Sequence, residues 1–255
     1  MPEGVVAAVI AAGKWKGEAP PGTWRALTPL AGRPMLAYVL DALSASNTVN
    51  EMVVIGPSEF SEPFPQVTLL DPTQTLTGNV LVAARAARGK GRVLLVGSDI
   101  PLLTPAAVDD FVTACPADRA FCYSIIEKSV VMERYPDMKR TFVRLSDGTY
   151  TGGNLILADP EFLIERDAVI EGIYANRKRP LALAGSLGWE VSLRLALTAL
   201  LRLPLLDVPR AERLVGRTLG GTVAGVPTLH AAIGADLDSV DEIPQFEALL
   251  KSDRA

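Results

Sequence analysis

The chain has 255 residues, 49% of them hydrophobic and 21% charged, which excludes a disordered polymer and supplies enough apolar surface for a full α/β core, alone or with an appendage. A net charge of −4 argues against a nucleic-acid partner with a broad footprint, yet leaves room for a local basic pocket around a small anionic ligand. The single histidine, His230, excludes a His-rich metal centre and any scheme that needs several imidazoles; Cys115 and Cys122 lack metal-ligand or CxxC spacing and read as core thiols.

Residues 5–12 read as a first strand rather than a signal-peptide core, because no basic segment precedes them. No run reaches the ~18–20 apolar residues that span a bilayer. The most apolar later stretch, 189–206, is interrupted by Glu190, Arg194, Arg202 and Pro204, so the expectation is a soluble, cytoplasmic protein with no membrane partner. After Gly13 comes a loop punctuated by glycine and proline that carries Lys14, Lys16 and Arg25. Small residues let backbone N–H groups approach an anion while basic side chains supply countercharge, which makes a phosphate cradle; an ordinary solvated loop has the same composition. The pattern is neither GxGxxG nor Walker A.

Downstream, the spacing predicts a helix over 34–43 with Met35, Val39, Ala42 and Leu43 on its buried face, strands at 52–55 and 67–70, and an Ala-rich helix over 79–88 closed by Gly89. The segment Arg92-Val93-Leu94-Leu95-Val96-Gly97-Ser98-Asp99 is too short for a helix and reads as a buried parallel strand that delivers Asp99 to the carboxyl edge of a sheet. In open α/β sheets ligands collect beyond that edge, so Asp99 can hold a metal or a phosphate-bearing substrate, or it can cap the next turn. Thr104-Pro105 opens another helix. Strand alternating with helix is the doubly wound α/β signature.

Beyond residue 120 the rhythm changes. A strand is expected at 121–126 and another at 155–157; 127–150 carries no side-chain pattern that reads as chemistry. Gly152-Gly153 before Asn154 allows close backbone approach, as a substrate lip, a bulge or a tight turn would require. Residues 160–220 read as a helical segment with helices at 189–203 and 210–215. In the tail, Asp236 and Asp238 stand at strand spacing, and Ser239 with Glu242 forms a capping box for a last helix that buries Val240, Ile243, Phe246 and Leu250.

Several stretches in this order resemble the molybdenum-cofactor guanylyltransferase-like (MobA-like) nucleotidyltransferases: Ala11-Ala12-Gly13, the basic loop, Gly32-Arg33-Pro34-Met35-Leu36, Thr77-Gly78-Asn79, Gly97-Ser98-Asp99-Ile100-Pro101, Thr151-Gly152-Gly153-Asn154 and Asp236-x-Asp238-Ser239. The resemblance implies a three-layer, Rossmann-like sheet of the GT-A type, mixed and mainly parallel, with helices on both faces. It implies one nucleotidyltransferase domain, with an NTP-binding half at 1–120 and an acceptor-binding half at 121–255 that ends in a metal-site strand. The reaction would move an NMP from an NTP onto a small phosphorylated acceptor, releasing pyrophosphate, with Mg2+ (or Mn2+) as cofactor.

Carried over residue by residue, Ala11, Ala12, Gly13, Lys14, Lys16, Arg25, Gly78 and Asn79 would bind nucleotide. Arg25, Lys16 and Asp99 would be catalytic, Thr151, Gly152, Gly153 and Asn154 would contact the acceptor, and Asp99, Asp236 and Asp238 would hold metal. The sequence departs from the family at Gly13-Lys14-Trp15-Lys16-Gly17, where Gly-x-Gly-Thr-Arg is usual, and at Arg25, which stands in the place of a lysine. A nucleotide-binding protein with weakened turnover and a nucleotide-sugar-dependent glycosyltransferase are the alternative readings. Base, acceptor and oligomeric state are not legible.

Overall fold

A computed structural model describes residues 4–15, 23–176 and 206–252. Lys16 and the expected helix at 189–203 therefore lie outside the described residues. The strands are β1 (Val5–Ile10), a small hairpin of β2 (Pro29–Leu30) and β3 (Arg33–Pro34), β4 (Glu51–Ile55), β5 (Thr68–Leu70), β6 (Arg92–Gly97), β7 (Phe121–Glu127), β8 (Val143–Leu145), β9 (Gly148–Ala158) and β10 (Val223–Thr228). The main sheet runs β10-β7-β9-β6-β1-β4-β5, with β8 beside β9. β6, β1, β4 and β5 are parallel, as are β7 and β10, while β9 runs antiparallel between β6 and β7. This is the mixed, mainly parallel α/β sheet expected from the sequence.

Alternation along β1 builds two cores, because successive side chains point to opposite faces. Val5, Ala7 and Val9 pack with α1 (Met35–Ser44) and α3 (Pro105–Ala114). Val6 and Ala8 join the core formed by α2 (Leu76–Ala87) and α5 (Pro160–Glu165) on the other side. Both faces of the sheet are thus covered, which a near-continuous apolar strand requires. Thr104 caps α3 by accepting from the Ala107 N–H at 3.2 Å, with Pro105 in the first turn as its residue type demands. Both cysteines are buried, as expected.

Some boundaries differ from the expected ones. β1 stops at Ile10, so Ala11 and Ala12 already belong to the edge. α2 starts at Leu76 rather than 79, because the Thr75 hydroxyl accepts from Gly78 N–H and brings residues 76–78 into the first helical turn. The segment 127–150 contains α4 (Lys128–Arg134), and the expected helix at 210–215 extends over Val208–Leu219 as α7, following α6 (Asp167–Asn176). β10 was missed: Gly225 and Pro227 mask it, and Pro227 is tolerated because β10 is an edge strand.

The tail corrects the expectation most. Asp236 and Asp238 are not on a strand; they lie in irregular chain between a 3-10 turn at Ala231–Gly234 and another at Val240–Glu242. The capping box at Ser239 and Glu242 is present and leads through the second turn into α8 (Ile243–Ser252). The tighter winding of that turn leaves Val240 exposed, while Phe246 and Leu250 are buried as expected. These two pack with Leu30, Met35, Tyr38, Leu102, Ala235 and Leu237 in a third apolar cluster that fastens the tail beside the carboxyl edge of the sheet.

Among the described residues no helix is long and apolar enough to cross a membrane. Phe246, fully buried, is the largest side chain of α8 in this cluster, so Phe246→Ala should lower unfolding free energy by about 3–5 kcal/mol. Urea unfolding measures this; a loss below about 1 kcal/mol would mean that the tail is not fastened by this contact.

Candidate active site at the carboxyl edge

β1 and β6 lie side by side, so the loop after Ile10 and the turn after Gly97 leave the sheet at the same edge. Asp99 can reach back over β6 because Gly97 has no side chain: a Cβ there would stand 2.5 Å from Asp99 Oδ1. Arg25 arrives from the far side of the basic loop, which closes on itself through Arg25 N–H to Gly13 O (2.9 Å) and a bridge between Lys14 and Trp24. Its Nη2 donates to Asp99 Oδ2 and to Leu237 O (3.1 Å) and lies 3.5 Å from Asp238 Oδ1. Leu237 N–H in turn donates to Asp99 O at 2.8 Å. The acid after β6 and the C-terminal tail are therefore tied to each other by both backbone and side chain.

Burial pushes the Asp99 carboxyl above its ordinary range; the Arg25 guanidinium pulls it back and the Asp238 charge pushes it up again. Asp238 is largely exposed, whereas Arg25 and Asp99 are mostly covered. Trp15 supports the cation, its ring 5.4 Å from the guanidinium carbon, and is itself fixed by a 2.8 Å hydrogen bond from Nε1 to Thr28 Oγ1. The Lys14 ammonium lies 4.2 Å from the centre of the Trp24 ring, at the solvent side of the same loop.

Gly78 and Asn79 sit in the first turn of α2, beyond the carboxyl end of β5. Asn79 is buried, and its Oδ1 accepts from Thr73 N–H (2.6 Å) and Thr73 Oγ1 (2.9 Å), which sets the loop leading into the helix. Gly78 is required there because a Cβ would collide with the Thr73 hydroxyl.

The Gly152-Gly153 pair forms a bulge rather than a tight turn. It lies within the eleven residues of β9, at a register shift against β7: Tyr123 pairs with Ile156 but Ile125 with Gly152. A side chain at Gly152 would strike the Tyr123 hydroxyl, and one at Gly153 the Ser124 hydroxyl, so both glycines permit close approach of β7. Ser124 fills the irregularity by accepting from Leu155 N–H (3.2 Å) and donating to Leu155 O (2.9 Å). The bulge directs Asn154, whose Nδ2 donates to Ile233 O (3.1 Å) and Asp236 Oδ1 (3.3 Å). Thr151 is buried beside it.

Sequence reasoning missed Arg140. It pairs through Nη1 with Asp236 Oδ1 and donates from Nη2 to Gly152 O at 2.9 Å, while its buried Nε has no hydrogen-bond partner among the described residues. Burial lowers its pKa, opposed by the charge of Asp238 and other nearby groups. No local signal marks Arg140, since its partners lie on β9 and in the tail. The two tail acids consequently face different cations, Asp236 with Arg140 and Asp238 with Arg25, which replaces the expected single acidic face.

A cavity of about 640 Å3 opens at the opposite, amino edge of the sheet, with Arg92, Cys115, Asp118 and Arg119 in its wall. It contains none of the residues just described and mixes both signs of charge.

Residues 7–154 match the MobA-like NTP transferase domain. The chain belongs to that family. A hypothetical transferase from Thermus thermophilus shares 35% identity with this chain, covering 93% of it and 98% of the relative, with a TM-score of 0.79. The bifunctional protein GlmU of Paramagnetospirillum magneticum is 35% identical over 92 residues, 33% of this chain but only 20% of GlmU. The chain thus matches about a fifth of the length of that curated relative. A CMP:2-keto-3-deoxy-manno-octonic acid synthetase complexed with CTP has the same fold at 12% identity, with a TM-score of 0.61 over 98% of this chain and 99% of its own.

The Arg140–Asp236 pair is mostly buried, so removing one partner strands the other. Arg140→Met should cost about 3–5 kcal/mol of stability, and the Arg140→Met/Asp236→Leu double variant should recover a large part of it. A double-mutant cycle in urea tests the coupling; strictly additive losses would contradict it.

Proposed function

We propose that this MobA-like domain is a Mg2+-dependent nucleotidyltransferase that moves an NMP from an NTP to a small phosphorylated acceptor. An acceptor phosphate oxygen forms a bond to the α-phosphorus as the bond to pyrophosphate breaks, so no protein nucleophile is needed. The observation that carries the reading is the convergence of Arg25, Asp99 and Asp238 at the carboxyl edge, directly beside the basic loop after β1. Such edges are where α/β sheets bind phosphorylated ligands.

Among the described residues no group of three or more His, Cys, Asp and Glu forms a ready-made metal centre. Mg2+, however, takes one or two carboxylates and completes its shell with water and substrate phosphate, which an oxygen-only pair such as Asp99 and Asp238 can satisfy. We assign these two to the ion, Mn2+ being an alternative occupant. Asp236 we assign to the acceptor wall, because Arg140 and Asn154 already hold it. When bound, the ion would offset negative charge on the phosphates and leaving group.

Arg25 and Lys14, with Lys16 of the same loop, bind the triphosphate and neutralise charge that grows on the leaving pyrophosphate. Ala11, Ala12 and Gly13 present backbone to it, and Gly78 with Asn79 shapes the nucleoside end. Thr151, Gly152, Gly153 and Asn154 form the acceptor wall, so that 1–120 serves the NTP and 121–255 the acceptor.

The test combines thermal shift and turnover. NTPs are screened with and without Mg2+, since a ligand at a hundredfold excess over its Kd stabilises by about 2.7 kcal/mol. At least one NTP should raise Tm in a Mg2+-dependent manner, and pyrophosphate should appear with a phosphorylated sugar or alcohol from an acceptor series. Asp99→Asn should fold and lose release by more than about a hundredfold. Binding without release for every acceptor would favour a nucleotide-binding role; no binding of any NTP would overturn the proposal.

A further inference from the structure

The position between Asp99 and Asp238 is already filled by a cation of the chain itself. A single nitrogen of Arg25 serves Asp99 Oδ2, Asp238 Oδ1 and Leu237 O, and Asp99 and the guanidinium are mostly covered from solvent. We infer that Arg25 is an internal counter-ion that occupies the metal position in the absence of nucleotide, so that a divalent ion and a triphosphate enter the site together. The inference rests on the assignment of Asp99 and Asp238 to the metal made above.

Two cations cannot share these carboxylates without repulsion, and a divalent ion arriving alone must displace the guanidinium from two carboxylates and a carbonyl. A triphosphate changes that balance twice. Its oxygens offer Arg25 charge-assisted, fork-shaped hydrogen bonds, and the same phosphates supply oxygen ligands to the ion. Because the Arg25 backbone is pinned to Gly13 O, the exchange needs a change of side-chain rotamer rather than of the loop.

Arginine at this position matters for the device. Its one Nη2 lies against two carboxylates and a carbonyl at once while the planar guanidinium carries further donors on the same fork, whereas the compact ammonium of a lysine concentrates its charge at one point. The departure from lysine thus acts on the order of binding, and metal and triphosphate must strengthen each other's affinity reciprocally.

The experiment titrates Mn2+ alone, without nucleotide, into the full chain and follows the free ion by electron paramagnetic resonance. Arg25→Gln should bind Mn2+ roughly tenfold more tightly than the wild type, a size usual for coupling between sites. Arg25→Lys should fall between the two, and carries the test should the glutamine variant not fold. Adding Asp99→Asn to either variant should abolish the gain. Equal Mn2+ affinity in wild type and Arg25 variants, lost on Asp99→Asn, would overturn the counter-ion role and leave the metal assignment standing. No Mn2+ binding by any variant would overturn both.

Discussion

The site depends on how two carboxylates and a carbonyl share one guanidinium. Arg25 follows the first strand, Asp99 follows the central strand, and Leu237 and Asp238 belong to the tail, yet Nη2 of Arg25 joins the three segments. A charge that is mostly buried is tolerable only when paired and hydrogen-bonded, so folding of the edge loops and assembly of the site are one event. The Leu237 N–H to Asp99 carbonyl bond adds a backbone constraint that no side-chain substitution removes.

Apolar packing supplies the force behind this polar arrangement. Leu237 lies between the two acids and is fully buried with Phe246, Leu250 and Met35, so the residue that separates Asp236 from Asp238 also anchors them. Burying one such side chain is worth about 1.5–3 kcal/mol, more than most exposed ion pairs contribute. The tail can therefore present one carboxylate to Arg25 and the other to Arg140 without a strand. The bulge in β9 does the same for the other wall: Gly152 and Gly153 admit β7 closely, and Asn154 turns toward the tail.

What the sequence made legible were features with short-range causes. The apolar strand before Asp99, the Thr104 cap and the Ser239–Glu242 box each rest on neighbours within a few residues, and each is present in the fold. Features with distant causes were not legible. The alternation Asp236-x-Asp238 suggested a strand, but packing of Leu237 and the Arg140 and Arg25 partners decide the local path. Arg140 has no motif because its meaning comes from Gly152 and Asp236, and β10 escaped notice because Pro227 is acceptable only on an edge that sequence alone does not locate.

On the proposed reading, the carboxyl edge and no other surface receives the triphosphate. The most direct measurement is a crystal structure of the full chain with Mg2+ and a non-hydrolysable NTP analogue. The expected result is phosphates against Gly13, Lys14 and Arg25, the ion on Asp99 and Asp238, and Arg25 turned from the carboxylates toward phosphate oxygen. Phosphates bound elsewhere, such as in the cavity beside Arg92 and Arg119 at the amino edge, with Arg25 still on Asp99, would contradict it.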